Sequence, residues 1–231
     1  MSGDETSADV RARIAARSPQ ALLSFSTGKD SIATWLAMRD QFEEIHPFYM
    51  YLVPDLEFVE ESLQYYERFF ECRIGRYPNP NLYRMINEMV FQPPNRITAV
   101  WRTGLPKFTR DNVAEAFARD VGAPAGCFTA IGNRIADNLT RRMSYRRTGA
   151  VNESRRTFWP VFDWRNADLV DAFRRHQVKL PVDYKLFGRT FDGLGVRYLY
   201  PIKQAFPRDY ARILEWFPLA ELEVWRYEHQ R

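Results

Sequence analysis

Leu22-Leu23-Ser24-Phe25-Ser26-Thr27-Gly28-Lys29-Asp30-Ser31 is the stretch on which the reading of this chain turns. A short apolar run ends in a small polar turn with one glycine, and the turn opens directly into the amphipathic segment Ile32-Ala33-Thr34-Trp35-Leu36-Ala37-Met38. The order predicts a strand, a tight loop and the first turn of a helix. The first amides of a helix have no partner within it, and the helix dipole favours negative charge there, so such a junction is a ready anion site. Gly28 lets the backbone approach a phosphate closely. Lys29 adds a point charge, and the hydroxyls of Ser26, Thr27 and Ser31 add donors. The same residue types also begin ordinary helices, and Asp30 or Ser31 as a plain helix cap is the competing reading. The spacing is not that of a Walker loop, because no G-x-x-x-x-G-K followed by Ser or Thr precedes the helix.

Outward from this stretch, strands and helices are predicted to alternate. Residues 21–25 read as the first strand, 29–42 as the first helix, and 45–53 as a second strand ending at Pro54. A helix follows over 57–70, then a third strand over 73–77. Pro78-Asn79-Pro80 breaks it, residues 82–91 look helical, and Gln92-Pro93-Pro94-Asn95 is a loop. Helical periodicity returns over 110–121, a strand over 127–131 ends at Gly132, and a helix spans 166–176 with Asp163 or Asn166 as its cap. Alternation of these lengths predicts an α/β fold: an open, mostly parallel Rossmann-like sheet with helices on both faces. Ligands in such sheets sit at the carboxyl ends of strands, where residues 26–31 and 53–57 fall. Residues 1–18 read as an N-terminal tail with an exposed helix over 9–17. Residues 19–205 form the nucleotide-binding domain, and 206–231 a helical C-terminal extension within a loop-rich second half.

The 231 residues, 45% hydrophobic and 27% charged, suffice for a soluble globular core. The net charge of +4 points to a nucleotide or another polyanion as partner. Cys72 and Cys127 stand far apart, and His46, His176 and His229 are isolated, so neither a zinc site nor an iron–sulfur cluster is expected. Met1 to Arg17 has no apolar leader core and no run approaches membrane length, which predicts a cytoplasmic protein without a membrane partner.

The opening loop resembles the S-x-G-x-D-S PP-loop of the adenine-nucleotide α-hydrolase superfamily, and its S-F-S-x-G-K-D-S form is closest to the phosphoadenosine phosphosulfate (PAPS) reductase family. Thr27 departs from that pattern, standing where the family has the first of two glycines. A threonine there holds φ below zero or costs strain. Three further segments follow in the family's order. Asp55-Leu56-Glu57-Phe58-Val59-Glu60 resembles D-T-G-x-E-F-P-E-T, without its Thr-Gly, so the local turn must differ. The segment from Gly132 through Arg134 to Arg141 is similar to G-x-R-x-x-E-S-x-x-R, with Asp137 for Glu and Asn138 for Ser. Trp159-Pro160-Val161-Phe162-Asp163-Trp164 resembles P-I-F-D-W. Residues 77–101 match little.

The resemblance implies an adenine-nucleotide site made by Ser24, Phe25, Ser26, Thr27, Gly28, Lys29, Asp30, Ser31, Leu52, Val53, Gly132 and Arg134. The backbone near Leu52 and Val53 would read the adenine edge. Lys29, Asp30 and Asp55 are the implied catalytic residues, with Asp30 as candidate ligand of a substrate-borne Mg²⁺. Glu57 and Arg141 would contact phosphate or a second substrate, and the arginines from Arg134 to Arg156 can position a polyanion, nucleic acid among them. The implied activity uses ATP, activating an acceptor by adenylyl transfer with release of pyrophosphate. PAPS reduction and cluster-dependent sulfur transfer need cysteines that Val224 to Arg231 and Gly195 to Pro201 do not contain. PAPS binding or reduction with an external thiol, and a non-catalytic nucleotide-binding module, stay open as alternatives, as does a homo-oligomer.

Overall fold

The computed structural model describes residues 5–229. In chain order the elements are α1 (Ser7–Arg17), β1 (Gln20–Ser24), α2 (Lys29–Met38), β2 (Glu44–Tyr51), α3 (Glu57–Phe70), β3 (Gly75–Pro78), α4 (Pro80–Asn87), α5 (Ile97–Thr103), α6 (Arg110–Asp120), β4 (Phe128–Ile131), α7 (Leu139–Thr148), β5 (Val151–Asn152), β6 (Thr157–Phe158), α8 (Asn166–His176), α9 (Asp183–Phe187), α10 (Val196–Ala205), α11 (Pro207–Trp216) and α12 (Glu221–His229). They group into two compact units. The first holds the residues up to Tyr49, Glu67–Arg76 and Asp111–Leu180; the second holds Met50–Tyr66, Tyr77–Arg110 and the residues from Pro181 on.

The predicted α/β sheet has six strands in the order β3-β2-β1-β4-β6-β5, all in the first unit but for the last residues of β2 and β3. β1 runs parallel to β2 and β4, β4 parallel to β6, and β5 antiparallel to β6. Leu23 of β1 sits opposite Pro47 on one side and Ala130 on the other. Ala21, Leu23 and Ala130 are wholly buried, which is why the strand reads as a continuous apolar run rather than an alternating one. From β1 the chain moves outward to β2 and β3, then returns to lay β4 on the other flank of β1. The strand order therefore reverses between β1 and β4, and such a reversal opens a crevice at the carboxyl ends of the two strands.

α2 seals one face of this sheet. Ile32 and Ala33 are fully buried, Trp35 stacks on Phe70 with ring centroids 3.8 Å apart, and it meets Phe25 edge-on at 5.2 Å. Each such pair contributes about 0.5–1.5 kcal/mol beyond its buried area. α1 differs from the expected exposed helix. It starts at Ser7, with Thr6 and Asp9 capping each other, and it buries Val10 and Ile14, one helical turn apart. Arg11 is buried with them and donates to the Pro160 carbonyl and, at 3.0 Å, to Gln41. Residues 1–4 of the expected tail lie outside the described residues. Neither expected cap serves α8: Asp163 accepts from the Ser7 amide at 2.9 Å, and Asp168 reaches back to the Arg165 amide at 2.6 Å.

The second unit is helical and aromatic. Phe58 of α3 meets the rings of Phe187, Phe191 and Phe206 at 6.4, 5.8 and 5.3 Å. Asp209 of α11, 1% exposed, accepts from the amides of Glu57 and Phe58 at 2.7 and 3.1 Å and so caps α3. α4 begins at Pro80 with Asn79 as cap, two residues before the predicted start, because proline suits the first helical position. It stops by Asn87, since Met89 and Phe91 take left-handed backbone (φ 57 and 53). Residues 94–96 form a single 3-10 turn in what reads as loop. No helix among the described residues is long and apolar enough to cross a membrane.

Candidate functional site: the loop between β1 and α2

The loop lies at the carboxyl end of β1, at the reversal of strand order. Phe25 still donates to the Phe48 carbonyl at 2.9 Å, and the chain then leaves the sheet through Ser26, Thr27 and Gly28. Thr27 adopts φ 57, the left-handed region that a β-branched side chain rarely enters. Of the two options open to threonine there, the chain takes the strained one, at a cost of about 1–3 kcal/mol. Gly28 has φ −71 and ψ 151, extended backbone that any residue adopts, so its lack of a side chain answers no conformational need.

Gly28 is the N-cap of α2, and it makes no side-chain cap hydrogen bond. Asp30 and Ser31 do not cap either; both lie inside the helix. The Ser31 hydroxyl donates to the Gly28 carbonyl at 2.9 Å and accepts from the amide and hydroxyl of Ser26, each at 3.2 Å. These bonds tie the loop into a ring around a helix start that bears no side-chain cap. Gly132, at the end of β4, presses on the same turn. A Cβ placed there would lie 2.9 Å from the backbone of Asp30 and Ser31, so only glycine lets the two strand-end loops pack this closely.

The charges beside the loop form a chain. Lys29 Nζ is 3.0 Å from Asp30 Oδ2 and 3.9 Å from Asp137 Oδ1. Asp30 Oδ1 accepts from Arg134 Nε at 2.5 Å, and Asp137 Oδ1 from Arg134 Nη2 at 3.0 Å. Arg134 Nη1 reaches the Trp164 carbonyl and Asn166 Oδ1, each at 3.3 Å. Arg134 is 2% exposed with all three guanidinium nitrogens engaged, so it acts here as the clamp that holds Asp30. The sequence marks Arg134, with Asp137 in the same resemblance segment, but not Trp164 or Asn166 as its anchors. An acid three residues after an arginine is the local signal for Asp137.

Ser24, Phe25, Ser26, Thr27, Gly28, Lys29, Asp30, Ser31, Gly132, Arg134 and Arg141 belong to the first unit; Leu52, Val53, Asp55 and Glu57 belong to the second. Asp55 occupies a left-handed turn (φ 56), which an aspartate tolerates, and its carboxylate lies 3.6 Å from Arg212. Glu57 is exposed, 3.8 Å from Arg208. Leu52 and Val53 are buried. Arg141 is exposed in the first turn of α7. The second unit also has a cavity of about 460 Å³, lined by Tyr83, Arg84, Lys107 and Phe108 among others.

Among the described residues no group of three or more His, Cys, Asp or Glu side chains is placed to hold a metal. Asp30 and Asp137 are both held in ion pairs with Lys29 and Arg134. Burial pushes the thiols of Cys72 and Cys127 above their ordinary range, which leaves neither as a thiolate at neutral pH.

No protein family matches this chain, and no curated protein sequence does. Several solved structures are similar in outline, two of them as follows. One is the NH3-dependent NAD synthetase from Campylobacter jejuni subsp. jejuni NCTC 11168 in complex with the nitrate ion. It is 9% identical over 95% of this chain and 91% of that one, with a TM-score of 0.47. The other is the U34-tRNA thiolase NcsA from Methanococcus maripaludis with its 4Fe-4S cluster. It is 12% identical over 93% of this chain and 79% of that one, with a TM-score of 0.45. Similarity this low carries nothing about chemistry, which has to come from the loop itself.

Proposed function

We propose that the first unit binds an adenine nucleotide by seating its phosphates on the N-terminus of α2, and that the protein is an ATP-using enzyme of the PP-loop kind. One observation carries this reading. Gly28 occupies a cap position whose backbone any residue can adopt, where Ser, Asp or Asn would bond the first helix amides. A glycine there puts no side-chain cap on the amides of Asp30 and Ser31, which an anion can then meet. The left-handed Thr27, held in a costly conformation, turns the chain so that the Ser26 hydroxyl and the helix start lie together. The four segments that resemble the PAPS reductase family support the same reading.

In the proposed reaction an acceptor oxygen attacks the α-phosphorus of ATP. The bond from that phosphorus to the oxygen bridging to the β-phosphate breaks, and pyrophosphate leaves with the electron pair. A nucleophile can then displace AMP from the activated acceptor. The α2 amides and Lys29 face charge growing on the leaving pyrophosphate, and donors fixed in place before the reaction stabilise such charge without reorganising. Asp30, fixed by Arg134, orients the Lys29 ammonium. Mg²⁺ arrives on the nucleotide's own phosphates and needs no cage of protein carboxylates.

Calorimetric titration with ATP and with PAPS, each with and without Mg²⁺, tests this. Mg²⁺-dependent ATP binding that Lys29→Ala abolishes is the expected result. PAPS binding without a metal requirement would put sulfonucleotide chemistry in its place, and binding of neither would remove the nucleotide reading.

A further inference from the structure

α7 carries Arg141, Arg142, Arg146 and Arg147 in ten residues, all of them exposed, and no carboxylate. The other helices lying wholly in the first unit each bring at least one acid of their own: Asp9 in α1, Asp30 in α2, and Asp168 in α8. Among the described residues none of the four guanidinium groups has an ion-pair partner. The acids that flank the helix are already committed, Asp137 to Arg134 at 3.0 Å and Glu153 to Arg17 at 2.7 Å. A solvated helix face ordinarily mixes the two signs. This one does not.

Nor do the arginines serve the helix that bears them. Arg141 and Arg142 fall in its first turn, where the positive end of the dipole opposes a cation. α7 buries none of its residues and is held to the unit by Tyr145, whose ring stacks on Phe162 at 4.9 Å. Opposite Tyr145 at helical spacing come Leu139 and Met143, 68% and 62% exposed, with Arg146 and Arg147 beside them.

We propose that α7 docks the phosphodiester backbone of a nucleic acid. Planar guanidinium forks match phosphate geometry, and closely spaced phosphates supply the counter-charge that the protein withholds. About 15 Å of helix meets a polymer carrying one charge per about 1.7 Å of duplex axis. Leu139 and Met143 pack against sugar or base faces between the phosphate contacts. An anionic membrane, the other polyanion of this size, asks for a broad apolar face. α7 offers it two side chains. The inference gives a substrate class to the acceptor that the proposed nucleotide chemistry leaves open, but it stands on α7 alone.

The test is fluorescence anisotropy of the full chain with labelled duplex DNA, single-stranded DNA and RNA, alongside anionic vesicles, over a range of salt. With three phosphate contacts on a duplex, from Arg142, Arg146 and Arg147, the association constant falls about 40-fold between 50 and 200 mM salt. R142Q/R146Q/R147Q removes about three from the slope of log K against log salt, with an unchanged Tm. The DNA and RNA arms identify which polymer is taken. No binding to any oligonucleotide, binding indifferent to the triple substitution, or a preference for vesicles would each overturn the proposal. ATP titration of the same samples is a separate readout, so failure of the nucleotide reading is visible independently.

Discussion

Arg134 donates its Nε to Asp30 Oδ1 at 2.5 Å, joining residues 104 apart in sequence at the ends of the two central strands. The same guanidinium holds Asp137 at 3.0 Å, so one buried cation orders two carboxylates that in turn flank Lys29. The residue that carries the sequence signal for phosphate contact thus also holds the loop in place.

Removing it leaves Asp30 and Asp137 with Lys29 as their shared cation. Arg134→Ala is expected to destabilise the protein by about 1–3 kcal/mol, because Asp30 and Asp137 are partly exposed and keep Lys29 beside them. Arg134→Lys keeps the charge but not the fork, and should recover only part of that loss. Chemical denaturation of the two variants measures both, and equal stability to the parent would show that the clamp holds nothing in place.

Thr27 offers the opposite sign. Thr27→Gly relieves a left-handed β-branched residue and adds the flexibility of glycine to the unfolded chain. The first effect is about 1–3 kcal/mol and the second about 0.5–1. The expected net is a stabilisation of about 1 kcal/mol, read as a rise in denaturation midpoint. A fall would mean that the buried threonine side chain contributes more than its backbone costs.

Asp183, in the second unit, predicts a pH dependence. It is 2% exposed, Oδ2 accepts from the Phe191 amide at 2.8 Å, and Oδ1 has no partner among the described residues. Burial pushes its carboxyl above the ordinary range. The native state therefore favours the protonated acid. The stability this group contributes is full below its unfolded value near 3.8 and is lost as pH rises through the higher folded value. Asp183→Asn should flatten that part of the Tm–pH curve, and an unchanged curve would contradict the assignment.

Much of this was legible because the loop and its flanks follow local rules. An apolar run closed by Ser26-Thr27-Gly28 marks β1 and the start of α2 to within a residue, and the helices over Glu57–Phe70 and Asn166–His176 fall where periodicity places them. Residues whose environment is set from far away were not legible. Arg134 is marked by its resemblance segment, but its partners Asp30, Trp164 and Asn166 are set from far away in sequence. α1 reads as exposed because its arginines hide the turn-spaced pair Val10 and Ile14. α5 offers no periodic signal because none of its residues is buried, and Trp101 stands 74% exposed. Grouping residues 50–66 and 77–110 with the C-terminal helices was likewise beyond local reading, since those segments are far apart in sequence.

The most direct test of the central claim is Gly28→Asp, titrated with ATP and Mg²⁺ beside the parent protein. The substituted residue adopts the backbone already present and supplies the cap that α2 lacks, so stability should hold or rise by a few tenths of a kcal/mol. Its carboxylate would then occupy the donors that a phosphate needs. Loss of ATP binding with an undiminished Tm is the predicted result. ATP bound as tightly as by the parent would contradict the account, because the phosphates would then rest somewhere other than the N-terminus of α2.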